Sequence, residues 1–151
     1  MGLIGVGRHG MRYARHLVHD LPTASLRAVC RQHPEQGLDL PGTSSVTVYK
    51  EPQSLIADPL VDVVLVVTPP IYSLEICRMA VQARKPLLIE KPLATTAADA
   101  QAMVVLTREA EVPLMTAQTL RFDHTIQQMK TLRHRIGRPE RLDLISRIEV
   151  K

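Results

Sequence analysis

The sequence predicts an α/β fold, a doubly wound open parallel sheet with helices on both faces. Three observations carry that expectation. Short apolar runs rich in Val, Ile and Leu alternate with helix-like stretches; most of the runs lack the polar alternation of a half-exposed strand; and a glycine-rich turn joins the first run to the first helix pattern.

The strand runs are Leu3-Ile4-Gly5-Val6, Leu26 to Cys30, Val46 to Tyr49, Val61 to Val67, Leu87 to Ile89 and Leu114 to Ala117. Helix patterns fall between them at Met11 to His19, Gln53 to Ala57, Ile71 to Ala83 and Ala97 to Ala110, so right-handed crossovers are expected. Thr96, with Asp99 three residues on, is a variant capping box that starts the last of these helices. Within it Met103, Val104, Leu106 and Ala110 make a stripe expected to face the core. Arg31 to Ser45 is a long polar connection with Pro34, Gly37, Pro41 and Gly42, and it has room for one helical turn. Asp123 to His134 reads as a further helix, Ile136-Gly137-Arg138-Pro139 breaks it, and Leu142 to Val150 resumes a strand pattern. A strand with nothing after it to pair or cover it is an open edge. Residues 1–138 are therefore expected to form one domain and residues 139–151 the start of a second, truncated one.

Composition narrows the function. At 151 residues the chain can bury a proper core, and 45 % apolar with 23 % charged residues is ordinary for a globular protein. No apolar run is long enough to span a bilayer and no signal-peptide plan is present, so the cytoplasm is the expected location. Cys30 and Cys77, far apart in apolar segments, read as free thiols of a reducing compartment. The net charge of +4 is spread along the chain, and three Tyr, one Phe and no Trp offer little to stack on bases, which argues against nucleic acid. His9, His16 and His19 lie near one helix but lack a third ligand at metal spacing beyond Asp20, so no metal site is expected.

Four strand ends carry chemistry. In "GLIGVGRHG", Gly5-x-Gly7-x-x-Gly10 ends a strand and opens a helix. The first glycine permits the tight turn, the second lets a pyrophosphate approach the backbone and the third lets the helix lie close to the strand, as in a Rossmann-type dinucleotide site. Arg8 and His9 complete that turn. Methyltransferases also place an adenosyl ligand at such a turn, so the motif alone leaves the cofactor open. The second strand ends in Cys30-Arg31-Gln32-His33, where an NAD site carries an acidic residue for the ribose hydroxyls. Arg31 cannot accept from a 2′-hydroxyl but can pair with a 2′-phosphate, which points to NADP with NAD as the alternative; a solvated arginine opening a loop is the other reading. Thr68-Pro69-Pro70 and Glu90-Lys91 end two more strands, and carboxyl ends of parallel strands face the ligand crevice. Partial burial there is expected to suit Lys91 for proton transfer.

Taken together, "GLIGVGRHG", "TPP", "EKPLATT", "LRF" at Leu120 to Phe122 and "IGRPERL" at Ile136 to Leu142 resemble the amino-terminal half of the glucose-fructose oxidoreductase, inositol dehydrogenase and MocA (Gfo/Idh/MocA) family. The resemblance implies NAD(P)-dependent oxidation of a hydroxyl on a sugar, cyclitol or related small molecule, or the reverse reduction. It implies that Lys91 is the catalytic residue, reaching the nicotinamide ribose and the reacting carbon, and that the Lys91–Pro92 bond is often cis. It also implies that Glu90 orients the lysine or contacts the cofactor, and that Gly5, Gly7, Arg8, His9, Gly10, Arg31, Gln32, Thr68, Pro69, Pro70, Glu90, Lys91 and Arg121 form the cofactor-facing set. The chain departs from the family's pattern at Ser73, where a His is common, at Thr119, where an Asn is common, and at Arg31, where an Asp is usual. The family's second half, an antiparallel sheet with the substrate pocket and a catalytic Asp and His, is missing. The expectation is a cofactor-binding fragment with weak or no turnover by itself, self-associating through its last strand. The alternative is a non-catalytic NADP(H)-binding module or relic that acts with a partner chain.

Overall fold

Six three-residue strands, β1 (Gly2–Ile4), β2 (Ala28–Cys30), β3 (Thr47–Tyr49), β4 (Val64–Val66), β5 (Leu87–Ile89) and β6 (Leu114–Thr116), pair in parallel in the order β3-β2-β1-β4-β5-β6 in the computed structural model, which describes residues 1–135, 137, 138, 140 and 141. The order reverses between β1 and β4. That is the topological switch point of a Rossmann fold, where a crevice opens beyond the strand ends.

The register explains the unbroken apolar runs. Val29, Leu3, Leu65 and Leu88 align in one row across the sheet and share a core with Ala14 and Leu17 of α1 (Gly10–His19). Their neighbours Ile4, Cys30, Val66 and Ile89 point the other way. There they meet Leu55 and Ile56 of α2 (Pro52–Ala57), Ile76, Cys77 and Ala80 of α3 (Ser73–Gln82) and Met103 of α4 (Ala97–Glu109). Both faces are covered, so alternation in direction produces no alternation in polarity.

The elements fall close to their expected positions. The Arg31 to Ser45 connection holds one 3-10 turn, Pro34–Gln36, and a second such turn, Pro70–Tyr72, leads into α3. At α4, Thr96 Oγ1 accepts from the Asp99 N–H at 3.0 Å, the first bond of the expected capping box, and in place of the reciprocal bond to its backbone N–H it donates to Asp99 Oδ2 at 2.8 Å. The stripe expected along α4 is corrected at Val104, which is 44 % exposed. Met103 and Thr107, one turn apart, define the inward line, and Val104 falls on the next face with Val105.

Met1–Ala117 forms one compact unit and a second starts at Gln118. The second contains the 3-10 turn Thr119–Phe122 and α5 (His124–Leu132), whose start is capped by Asp123 Oδ1 accepting from the Ile126 N–H. The strand expected at Leu142 to Val150, the self-association through it and nearly all of the second domain expected at 139–151 lie outside the described residues, as do Ile136 and Pro139 of the "IGRPERL" run.

The cap is a discrete part of this stability. Thr96→Ala is expected to lower the unfolding free energy by about 1 kcal/mol in urea titrations, and Thr96→Ser to restore most of it.

Candidate functional site

The glycine turn after β1 sets the geometry. Gly5 has φ +93°, and a Cβ there would lie 2.4 Å from the Val67 carbonyl oxygen. A Cβ on Gly10 would lie 1.9 Å from the Gly5 oxygen. Neither position tolerates a side chain, so α1 begins hard against the sheet. Gly7 is the opposite case, with no atom within 4 Å of a Cβ built on it. Its backbone borders open space, as a pyrophosphate requires. The first turn of α1 carries no acidic residue, and its N-cap, His9, makes no side-chain capping bond.

Beyond β4 and β5, the residues His9, Val67, Thr68, Glu90 and Lys91 line a cavity of about 280 Å³. Thr68 lines this cavity, and its buried Oγ1 has no hydrogen-bond partner among the described residues. The Glu90 side chain, only 10 % exposed, takes the inward position. Its Oε1 accepts from the Tyr13 hydroxyl at 2.7 Å and from His9 Nε2 at 2.6 Å, while its Oε2 accepts from the Lys91 N–H at 2.9 Å. Burial pushes the Glu90 carboxyl up, but these hydrogen bonds, with the charge His9 can carry, outweigh it and hold the group below its ordinary value. Burial, then the bond to Glu90, pushes the Tyr13 hydroxyl well above its usual range and keeps it a donor.

The structure thus gathers Gly5, Gly7, His9, Gly10, Thr68, Glu90 and Lys91 at one crevice, while Arg8 lies exposed in the glycine turn. Pro69 is exposed and Pro70 starts the 3-10 turn that follows. The Lys91–Pro92 bond is cis. Partial burial of Lys91 is corrected: the residue is exposed, because β5 ends at Ile89 and Glu90 takes the place turned inward. Among the described residues its ammonium makes no hydrogen bond or ion pair. Arg31 directly follows β2, and its guanidinium donates to the Gly37 carbonyl at 2.7 Å and to Gln36 Oε1. Gln32 is exposed, and Arg121 belongs to the second unit. Tyr13 and Val67 are the site residues the sequence reading missed. Tyr13 sits in an ordinary amphipathic helix, and nothing local ties it to a carboxylate 77 positions away.

The family described as "Oxidoreductase family, NAD-binding Rossmann fold" matches residues 1–118. A myo-inositol 2-dehydrogenase of Thermotoga maritima is 33 % identical over 150 residues, which are 97 % of this chain and 45 % of that enzyme. Among solved structures, a probable dehydrogenase from Thermotoga maritima aligns with a TM-score of 0.75 at 31 % identity, over 89 % of this chain and 40 % of that one. The scyllo-inositol dehydrogenase of Lactobacillus casei, solved with NAD(H) and scyllo-inositol, aligns at 0.78 and 20 % identity over 90 % and 41 %, a likeness of fold. The chain spans less than half the length of these proteins.

Two expectations follow from the geometry. Gly10→Ala should unfold the chain or cost several kcal/mol, since backbone must move, whereas Gly7→Ala should leave the melting temperature nearly unchanged and obstruct anion binding at the turn. Second, because the folded Glu90 value is depressed, its stabilisation is complete above the unfolded carboxyl value of about 4.3 and is lost as pH falls through the folded one. Urea titrations from about pH 6 down to about pH 2 should show a shallower acid loss in Glu90→Gln than in the unmodified chain.

Proposed function

Because the chain belongs to the Gfo/Idh/MocA oxidoreductase family, whose NAD-binding Rossmann domain it carries, we propose that it is the cofactor-binding part of an NAD(P)-dependent oxidoreductase acting on a hydroxyl or carbonyl of a sugar, cyclitol or related small molecule. The observation that carries the binding half of this reading is the glycine turn, closed at Gly5 and Gly10 and open at Gly7. The name of the Thermotoga relative supports a cyclitol or sugar as substrate. The chain spans 45 % of that enzyme, so substrate turnover is assigned to a whole protein and cofactor binding to these residues. Two buried free thiols, Cys30 and Cys77, fit a cytoplasmic home.

The residues divide the work. Gly5 and Gly10 shape the turn, and the open backbone at Gly7 with the start of α1 receives the pyrophosphate through N–H groups and the helix field. Thr68, with Pro69 and Pro70 beside it, offers a hydroxyl and rigid apolar wall where the crevice narrows. Bound there, a nicotinamide supplies hydride transfer. Lys91, with its ammonium unpaired among the described residues, holds the ribose or substrate oxygen and, as an ammonium, can give the proton that a carbonyl gains on reduction.

NADP is the preferred cofactor in this reading. Arg31 stands where an NAD site needs an acceptor, and three of its five N–H donors remain after Gly37 and Gln36 are served. A 2′-phosphate can take the remaining donors or replace those two bonds with charge-assisted ones.

Calorimetric titration with NADPH and NADH tests this. NADPH is expected to bind about tenfold or more tightly than NADH, and Arg31→Asp to erase or reverse the difference. Equal affinities, or a preference for NADH, would overturn the choice of NADP; no binding of either would overturn the nucleotide reading.

A further inference from the structure

The Glu90 carboxylate is gripped unevenly, and the unevenness is informative. Tyr13, the fourth residue of α1, and His9, from the glycine turn, both reach the same oxygen, Oε1. Their rings pack edge to face, centroids 5.6 Å apart and planes at 84°, so each holds the other in place. The second oxygen, Oε2, is left to the backbone N–H of Lys91. Rotation of the carboxylate would break all three bonds together. The direction of Oε2, and with it the start of the Lys91 turn, is therefore fixed by one side chain of the glycine turn and one of α1, on the far side of β4. A carboxylate only accepts, so His9 Nε2 carries its proton in this arrangement.

We propose that Tyr13 and His9 are positioning residues that act through Glu90 to set Lys91, linking the glycine turn where a pyrophosphate would rest to the lysine that meets the reacting end of the dinucleotide. The inference rests on the reading of the crevice as a dinucleotide site. It assigns Glu90 to a fixed, ionised clasp and leaves proton movement to Lys91. It also gives Tyr13 a role that no motif in the sequence announces. Removing the Tyr13 hydroxyl frees one of three bonds without disturbing the half-buried ring, so the effect is read at Lys91 rather than in the fold.

The test follows the Lys91 backbone amide by NMR in the 151-residue chain, with Tyr13→Phe beside the unmodified sequence and NADPH as the ligand. In Tyr13→Phe the Lys91 amide proton is expected to move upfield and to exchange faster with solvent, and NADPH affinity to fall about tenfold, the weight of one hydrogen bond to a charged group. An unmoved Lys91 amide, or a moved amide with unchanged NADPH affinity, overturns the proposal. If Tyr13→Phe does not fold, His9→Ala and His9→Gln decide: the amide should move in the first and hold in the second, whose side-chain amide can still donate, and the same result in both overturns it. Failure of the unmodified chain to bind NADPH would overturn the nucleotide reading instead. The Lys91 amide would then still decide whether the clasp sets the lysine.

Discussion

The close approach of α1 to the end of β1 is the constraint on which the site depends. With a Cβ at residue 10 only 1.9 Å from the Gly5 oxygen, the helix can start where it does only because Gly10 has none. That start puts His9 and Tyr13 within hydrogen-bonding distance of Glu90, across β4. It also turns the open end of the helix toward the space beside Gly7. One steric fact thus sets both the anion-facing backbone and the grip on the strand end that carries Lys91.

A carboxylate beside an anion site needs explanation, because burial alone would drive it neutral and a bare charge would repel a phosphate. Glu90 avoids both outcomes by accepting three hydrogen bonds, two of them on one oxygen. Its charge is spent locally, and the donors that spend it are the ones that fix its direction. A group so engaged makes a poor general base, since taking a proton would cost it the bonds that keep it ionised. The neighbouring ammonium of Lys91 is under no such commitment among the described residues.

The fold was legible because its signals are local. Strands covered on both faces write themselves as unbroken apolar runs, and the glycine spacing, the Thr96 cap and the turn at Pro34–Gln36 each lie within a few residues. The runs overstate the strands where apolar residues are buried outside the ladder, as Val61 is at 1 % exposure ahead of β4. The site was legible as a set of strand ends but not as a set of contacts. Which of Glu90 and Lys91 turns inward is decided just past Ile89, where the alternation imposed by pairing stops. The partner of Glu90 lies 77 residues away. Arg31 is held by Gln36 and Gly37, and Gly37 adopts φ +59° in a loop whose path no periodicity describes.

The two ends of the sheet treat polar groups differently, and the difference says where a ligand belongs. Ahead of the strands, the Asp58 carboxylate, 5 % exposed, accepts from the Leu60 N–H at 2.9 Å and the Tyr49 hydroxyl at 3.3 Å, and Lys85 Nζ donates to the Asp58 carbonyl at 2.5 Å. Arg27 Nε lacks a hydrogen bond there, yet it lies 3.8 Å from Asp58 Oδ2, so its charge is met. That end is closed on itself and serves stability. At the carboxyl end Thr68 Oγ1 is buried with no hydrogen-bond partner among the described residues, and Gly7 borders open space. An unmet buried hydroxyl costs about 1 to 3 kcal/mol in a folded protein. The end of the sheet that the chain itself satisfies less well is also the end where the backbone at Gly7 leaves room for a ligand.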